Sequence, residues 1–204
     1  EIRLSLVGSE MCIRDRYDTA IFNYFDNGEG SYFRCAENDA KVLRYGENPH
    51  QKGLFFGKFG EMFEQLHGKE ISYNNLLDID AAVSLIAEFD ELTFAILKHN
   101  NACGLASRPV LVDAWKAALA GDPVSAFGGV LITNGKIDKA TAEEMNNLFF
   151  EVVIAPGYDA DALEILEQKK NRIILVLKEN KTKSLQFRSL LNGVLMQERD
   201  LHCE

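Results

Sequence analysis

From residue 78 onward the apolar positions alternate between two rhythms. The segment 78–89, DIDAAVSLIAEF, repeats apolar side chains at Ile79, Val83, Ile86 and Phe89. That is the spacing of one helix face, with Asp78 as the predicted cap. LTFAIL (92–97) is a continuous apolar run and predicts a buried strand. LVDAWKAALAG (111–121) predicts a helix stopped by Gly121, and GGVLIT (128–133) a short strand. DKATAEEMNNLFF (138–150) predicts a helix capped by Asp138. EVVIAP (151–156) predicts a strand ended by proline, DADALEILEQKK (159–170) a helix, and RIILVL (172–177) a further strand. Strands and helices in alternation, with the strands apolar throughout, predict an α/β domain built on a substantially parallel sheet.

The N-terminal quarter reads differently. YDTAIFNYF (17–25) places Ile21, Tyr24 and Phe25 on one helical face, and DNGEGS (26–31) follows with two glycines, a linker by composition. The opening EIRLSLVGSEMCIRDR has neither helical nor strand periodicity. It resembles strings found at the ends of machine-translated sequence assemblies, so residues 1–16 are expected to be a non-native leader and are set aside. No internal repeat or low-complexity segment is visible.

Composition narrows the class. At 204 residues, 47% hydrophobic and 26% charged, the chain falls in the range of folded globular proteins. No apolar run approaches the roughly 20 residues of a membrane span, and no stretch near the N-terminus is long enough for a signal peptide. A net charge of −9 argues against nucleic-acid binding, which calls for a basic face. Cys12, Cys35, Cys103 and Cys203 form no CxxC pair and have no histidine at zinc-ligand spacing. Free thiols in a cytoplasmic protein without a metal are therefore expected.

Candidate chemistry collects in three places. In FAILKHNNACGLAS (94–107), Lys98 and His99 arrive at the end of the apolar strand, where open α/β sheets bind ligands. An adjacent ammonium disfavours protonation of an imidazole, leaving it able to accept a proton, and also stabilises a developing oxyanion. Successive strand side chains point to opposite faces, so both serve one site only if the backbone turns there, and Asn100, Asn101 and Gly104 permit a turn. In LRYGENPHQ (43–51), Arg44 offers a guanidinium suited to phosphate or carboxylate and Tyr45 a stacking ring, while His50, after Pro49, reads as structural. In GDPVSAFGG (121–129), Gly128 and Gly129 allow close backbone approach to a planar ligand, although this is neither GxGxxG nor a Walker loop. Glu151, at the head of a strand, is placed to accept hydrogen bonds from an amide or amine. Each feature alone reads as ordinary surface: a solvated lysine, an incidental arginine, a strand-edge charge. A Schiff-base role for Lys98 would need a phosphate cup, and no such motif is present.

Together these stretches carry more. LRYGENPHQ, ISYNNLLDIDAA, ILKHNNACGLA, DPVSAFGGV, VVIAPGYDADALEIL and QFRSLLNGVLMQERD occur in one order, and over residues 17–201 the chain resembles the bifunctional purine-biosynthesis family that combines AICAR transformylase and IMP cyclohydrolase. The resemblance implies an α/β fold of cytidine-deaminase-like type without the zinc. It implies that residues 17–31 are the end of the cyclohydrolase domain and its linker, and residues 32–204 the N-terminal part of the transformylase domain, truncated. It also implies a homodimer, AICAR as substrate and 10-formyltetrahydrofolate as co-substrate, giving formyl-AICAR, which the parent protein cyclises to IMP. Carried over by position, His99 is the general base, Lys98 stabilises the oxyanion or assists the departing folate nitrogen, Arg44 and Tyr45 contact the nucleotide, and Gly128 makes a backbone contact. Glu151 matches an acidic position that reads the amine or carboxamide, where other members carry aspartate. KHNNACG stands where many bacterial relatives have KHANPCG, so the loop lacks a proline. The alternative is a fragment that binds nucleotide or dimerises without turnover.

Overall fold

The computed structural model describes residues 4–26, 33–37, 39–178 and 184–200. Its centre is a six-stranded sheet, and four of its strands, at 93–98, 129–133, 150–155 and 173–177, are the apolar runs of the sequence. The six are β3 (Phe63–His67), β4 (Thr93–Lys98), β5 (Asn101–Ser107), β6 (Gly129–Thr133), β7 (Phe150–Ala155) and β8 (Ile173–Leu177), in the spatial order β3-β8-β7-β6-β4-β5. The strands number from β3 because a separate hairpin precedes them, β1 (Ala40–Leu43) with β2 (Gly53–Phe56), paired antiparallel.

Helices cover both faces. On one side α4 (Leu111–Leu119), α5 (Lys139–Met145) and α6 (Ala160–Leu166) bury Trp115, Met145 and Leu166 against Phe94, Ile96, Leu131 and Val153. On the other, α3 (Tyr73–Ile86) buries Ile79, Ala82, Val83 and Ile86 against Ala95, Leu97, Val130 and Ile132. Neighbouring residues of β4 thus enter opposite cores, as the two-residue period of a strand requires. Because both faces are covered, the strand reads as an unbroken apolar run rather than an alternating one. The edge-on rings of Phe94 and Trp115, 5.1 Å apart, anchor α4 to the sheet. α4 sits so close to β5 that a Cβ at Gly104 would collide with the Ala118 carbonyl.

The sheet is mixed, not substantially parallel: among the described residues only β6–β7 and β7–β8 of its five pairings run parallel. The reason is local. β4 and β5 are joined by two residues, which permits only an antiparallel pair, whereas a parallel pair needs a long crossover. Such crossovers do occur at α5 and α6.

The other differences are at element ends. α3 begins at Tyr73, and its cap is Ser72, not Asp78. Ser72 Oγ accepts from Asn75 N while Asn75 Oδ1 accepts from Ser72 N, a reciprocal capping box. α5 ends at Met145 and Phe150 already belongs to β7. Asp138 does cap α5, accepting from Thr141 N at 2.8 Å. At the N-terminus a single helix α1 (Leu4–Phe25) runs through the stretch that shows no periodicity. Ile21, Tyr24 and Phe25, which share a face by sequence, are exposed on it. The linker after Asp26 lies outside the described residues. A short α2 (Phe59–Met62) precedes β3, and a hairpin of β9 (Leu185–Leu190) and β10 (Gly193–Glu198) closes the described chain.

Among the described residues no helix is long and apolar enough to cross a membrane, and no group of three or more His, Cys, Asp or Glu is arranged to hold a metal. Cys35 and Cys103 are free thiols; the side chain of Cys12 and all of Cys203 lie outside what is described.

Candidate active site

Four of the predicted residues, Lys98, His99, Gly128 and Glu151, lie at one end of the sheet, where the C-terminal end of β4 meets the N-terminal ends of β6 and β7. This departs from the rule that ligands sit outside the carboxyl ends of the strands. β4 runs against β6, and β3 against β8, so the carboxyl ends of β4 and β3 meet the amino ends of β6, β7 and β8 here.

Lys98 is the last residue of β4, and its ammonium is not a free solvated charge. Nζ donates to the Phe127 carbonyl at 2.8 Å and to the Gly128 carbonyl at 3.0 Å. Gly128 lies in the left-handed region with φ of 70°, and a Cβ there would stand 3.0 Å from Lys98 Nζ. The glycine therefore serves the backbone turn and leaves room for the lysine head. Beside it Phe127 and Phe149, 61% and 52% exposed, form a tilted aromatic pair at 5.1 Å. This apolar wall gave no signal in the sequence beyond two exposed-looking aromatics.

His99 and Asn100 form the whole turn between β4 and β5. Both are left-handed, with φ of 50° and 65°, the signature of a two-residue hairpin turn whose twist matches the strands. The backbone thus turns immediately after Lys98, and His99 is exposed at the apex. Two bonds hold the turn: Asn101 Nδ2 donates to the His99 carbonyl at 2.8 Å, and Asn100 N donates to Asp78 Oδ1 at 2.7 Å.

Glu151 is the second residue of β7, after Phe150, which pairs with Gly129. Its Oε2 accepts from Lys69 Nζ at 2.9 Å and from Asn75 Nδ2 at 3.4 Å. Partial burial pushes this carboxyl up, but the hydrogen bonds from Lys69 and Asn75 and the charges of Lys69 and Lys98 outweigh it, leaving Glu151 below the ordinary glutamate value. The charge of Lys98 is the smallest of these contributions. Behind this corner Arg172 lies buried with its guanidinium 4.1 Å from the Phe150 ring and bonded to Asn146 Oδ1 and the Leu166 carbonyl. Burial pushes Arg172 down to about 10, so it remains charged while fixing the start of β7.

Arg44 and Tyr45 stand apart from the corner, on the loop 44–52 between β1 and β2. The guanidinium lies 5.7 Å from the neighbouring Tyr45 ring. The loop closes on itself: Gly46 N donates to the Gln51 carbonyl at 2.8 Å, and Asn48 N to Gln51 Oε1 at 2.7 Å. His50 is exposed within it. Its described link toward the corner is Asn74 Nδ2, which donates to the Glu47 carbonyl at 3.3 Å.

One helix therefore touches every part. Asn74 reaches the Arg44 loop, Asn75 reaches Glu151, and Asp78 reaches the His99 turn, all from the first two turns of α3. Reading Asp78 as a cap hid this role. The usable signal was the i,i+3 spacing of Asn75 and Asp78, which puts them on one face. An open groove of about 540 Å³ lined by Asp15, Asp18, Thr19, Phe33, Arg34 and Cys35 shares no residue with this corner.

Comparison with known proteins agrees with the collinear motifs. The sequence profile of the AICARFT/IMPCHase bienzyme matches residues 3–204. The chain belongs to the AICARFT/IMPCHase family. Relatives named bifunctional purine biosynthesis protein PurH include that of Bacteroides thetaiotaomicron, 69% identical over 204 residues, all of this chain and 40% of that protein. Those of Caldicellulosiruptor saccharolyticus (44% over 200 residues, 90% of this chain and 39% of the relative) and Chlorobium luteolum (43% over 215 residues, 97% and 41%) match likewise. The chain spans about two fifths of the length of the curated relatives it matches. Its mixed α/β sheet is in keeping with the family.

Proposed function

We propose that this AICARFT/IMPCHase chain carries the formyl-accepting side of an AICAR transformylase site, working in a protein that also cyclises formyl-AICAR to IMP. In this reading residues 32–204 are the N-terminal part of a cytidine-deaminase-like transformylase domain without zinc, and residues 17–31 end the cyclohydrolase domain. The protein is a cytoplasmic homodimer.

The reaction asks for two things. The aromatic amine of AICAR is a weak nucleophile, so a base must take its proton as it attacks the formyl carbon of 10-formyltetrahydrofolate. The carbonyl oxygen then becomes an oxyanion that must be stabilised. His99 takes the proton, and Lys98 faces the oxyanion. Two of the three ammonium N–H groups of Lys98 are committed to the Phe127 and Gly128 carbonyls, which orients the third without neutralising the charge. As the intermediate collapses, the bond from the formyl carbon to folate N10 breaks and the imidazolium returns the proton to N10. Arg44 and Tyr45 bind the nucleotide, and Glu151, kept ionised by Lys69 and Asn75, accepts from the amine or carboxamide. The aromatic pair Phe127 and Phe149 offers an apolar wall beside the reacting groups.

The observation that carries this reading is the tethered Lys98 ammonium beside a left-handed histidine turn. The test uses this chain extended to the length of its relatives with the remaining sequence of the Bacteroides thetaiotaomicron protein. His99→Ala is expected to lower formyl transfer about 10²- to 10⁴-fold, the usual worth of a general base, with the oligomer intact. Unchanged turnover refutes the assignment.

A further inference from the structure

We propose that Asp78 is a positioning residue that holds the His99 turn in its working conformation. The inference rests on the assignment of His99 as the base. Two consecutive residues bearing Cβ atoms, His99 and Asn100, sit in the left-handed region that side chains disfavour, so the turn has to be held there by its surroundings. Asn101 supplies one tether from within the hairpin. The tether from outside is Asp78, whose carboxylate accepts from Asn100 N at 2.7 Å, a charge-assisted bond to the residue next to the base.

Three features of Asp78 fit this role. It lies six positions beyond the Ser72 cap, so it does not start the helix. No ion pair joins it to a cation among the described residues. Its helix is rigidly mounted, capped at Ser72 and Asn75 and buried at Ile79, Ala82, Val83 and Ile86 against the sheet. One turn before Asp78, Asn75 holds Glu151. A single helix face thus sets the spacing between the base and the acidic group that reads the substrate.

The extended chain described above tests the proposal through kcat and the AICAR KM for formyl transfer. Asp78→Ala is expected to lower kcat about 10- to 100-fold, as misplacement of a catalytic group does, with KM little changed. Asp78→Asn keeps an oxygen acceptor for Asn100 N and is expected to retain most of the activity. Asn100→Gly, which takes a positive φ without strain, is expected to restore most of what Asp78→Ala loses. In a His99→Ala background Asp78→Ala is expected to cost nothing further, because it acts through the missing imidazole. A merely structural aspartate would cost the same in both backgrounds and would not be rescued by glycine at 100. Where Asp78→Ala fails to fold, Asp78→Ser, polar but too short to reach Asn100, carries the same comparison. Wild-type kcat in Asp78→Ala or Asp78→Ser, or an added loss on top of His99→Ala, overturns the positioning role alone. Full activity of His99→Ala overturns it together with the reading on which it rests.

Discussion

The two halves of the candidate site are built by different means. At the sheet corner, Lys98, Gly128 and Glu151 are placed by strand register and tied to backbone carbonyls, Lys69 and Asn75. On the loop 44–52, Arg44 and Tyr45 are placed by a hairpin that closes on itself and touches the rest of the site through Asn74. The corner is therefore preorganised by the fold, whereas the loop is preorganised only locally. Groups that must meet developing charge belong on the rigid side, and groups that capture a charged handle tolerate the looser one.

The difference can be broken deliberately. The largest effect is expected at the corner, where Gly128→Ala forces a side chain into the left-handed region and against the Lys98 ammonium. The expected cost is about 1–2 kcal/mol of stability, seen by denaturant unfolding, together with a fall in formyl transfer of at least about tenfold as the ammonium is displaced. Stability and rate should move together there. On the loop, Arg44→Ala is expected to raise the AICAR KM about tenfold while the melting temperature stays within about 1 °C, since an exposed side chain contributes little to folding. A melting temperature that falls as far as that of Gly128→Ala would erase the distinction.

A smaller effect sharpens the electrostatics of the corner. Lys69→Ala removes a hydrogen bond and a charge that hold Glu151 down, so burial should dominate and the Glu151 carboxyl should rise. A depressed carboxylate contributes stability above its unfolded value and loses it as pH falls through the folded value. In Lys69→Ala the carboxyl is no longer held down, so this contribution and its loss on acidification should disappear, visible as a shallower fall of stability with decreasing pH than in the unaltered chain. The pair is half exposed, so its effect at neutral pH should be slight. Smallest of all is a contrast between thiols. Cys103, raised by burial and donating to the Ile96 carbonyl, should alkylate more slowly than exposed Cys35, as peptide mapping after iodoacetamide would report.

What the sequence made legible follows from burial. β4, β6, β7 and β8 lie under helices on both faces, so each is an unbroken apolar run that stands out without any partner being known. β3, with FEQLH at a sheet edge, and β5, with NACGLAS in the hairpin, carry polar or small residues and gave no such run. Without β5 the turn that Asn100, Asn101 and Gly104 permit could not be read as a two-residue hairpin, and so the antiparallel step that makes the sheet mixed was not visible. His-Asn is also not the Asn-Gly pair that usually announces such a turn. Lys98 and His99 were legible as a pair because they are adjacent. The contact of Lys98 with Gly128 was not, because it depends on the pairing of Leu97 with Val130. Lys69 and Asn75 are further still from Glu151 along the chain, and nothing local marks either as its partner.

The most direct measurement is a structure of the extended chain with AICAR bound. The account predicts the AICAR amine within about 2.6–3.2 Å of the His99 imidazole. The same structure should show Arg44 on the phosphate and Glu151 on the amine or carboxamide. AICAR seated away from the corner, or bound with the His99 ring and the Lys98 ammonium directed to opposite sides of β4, would contradict it.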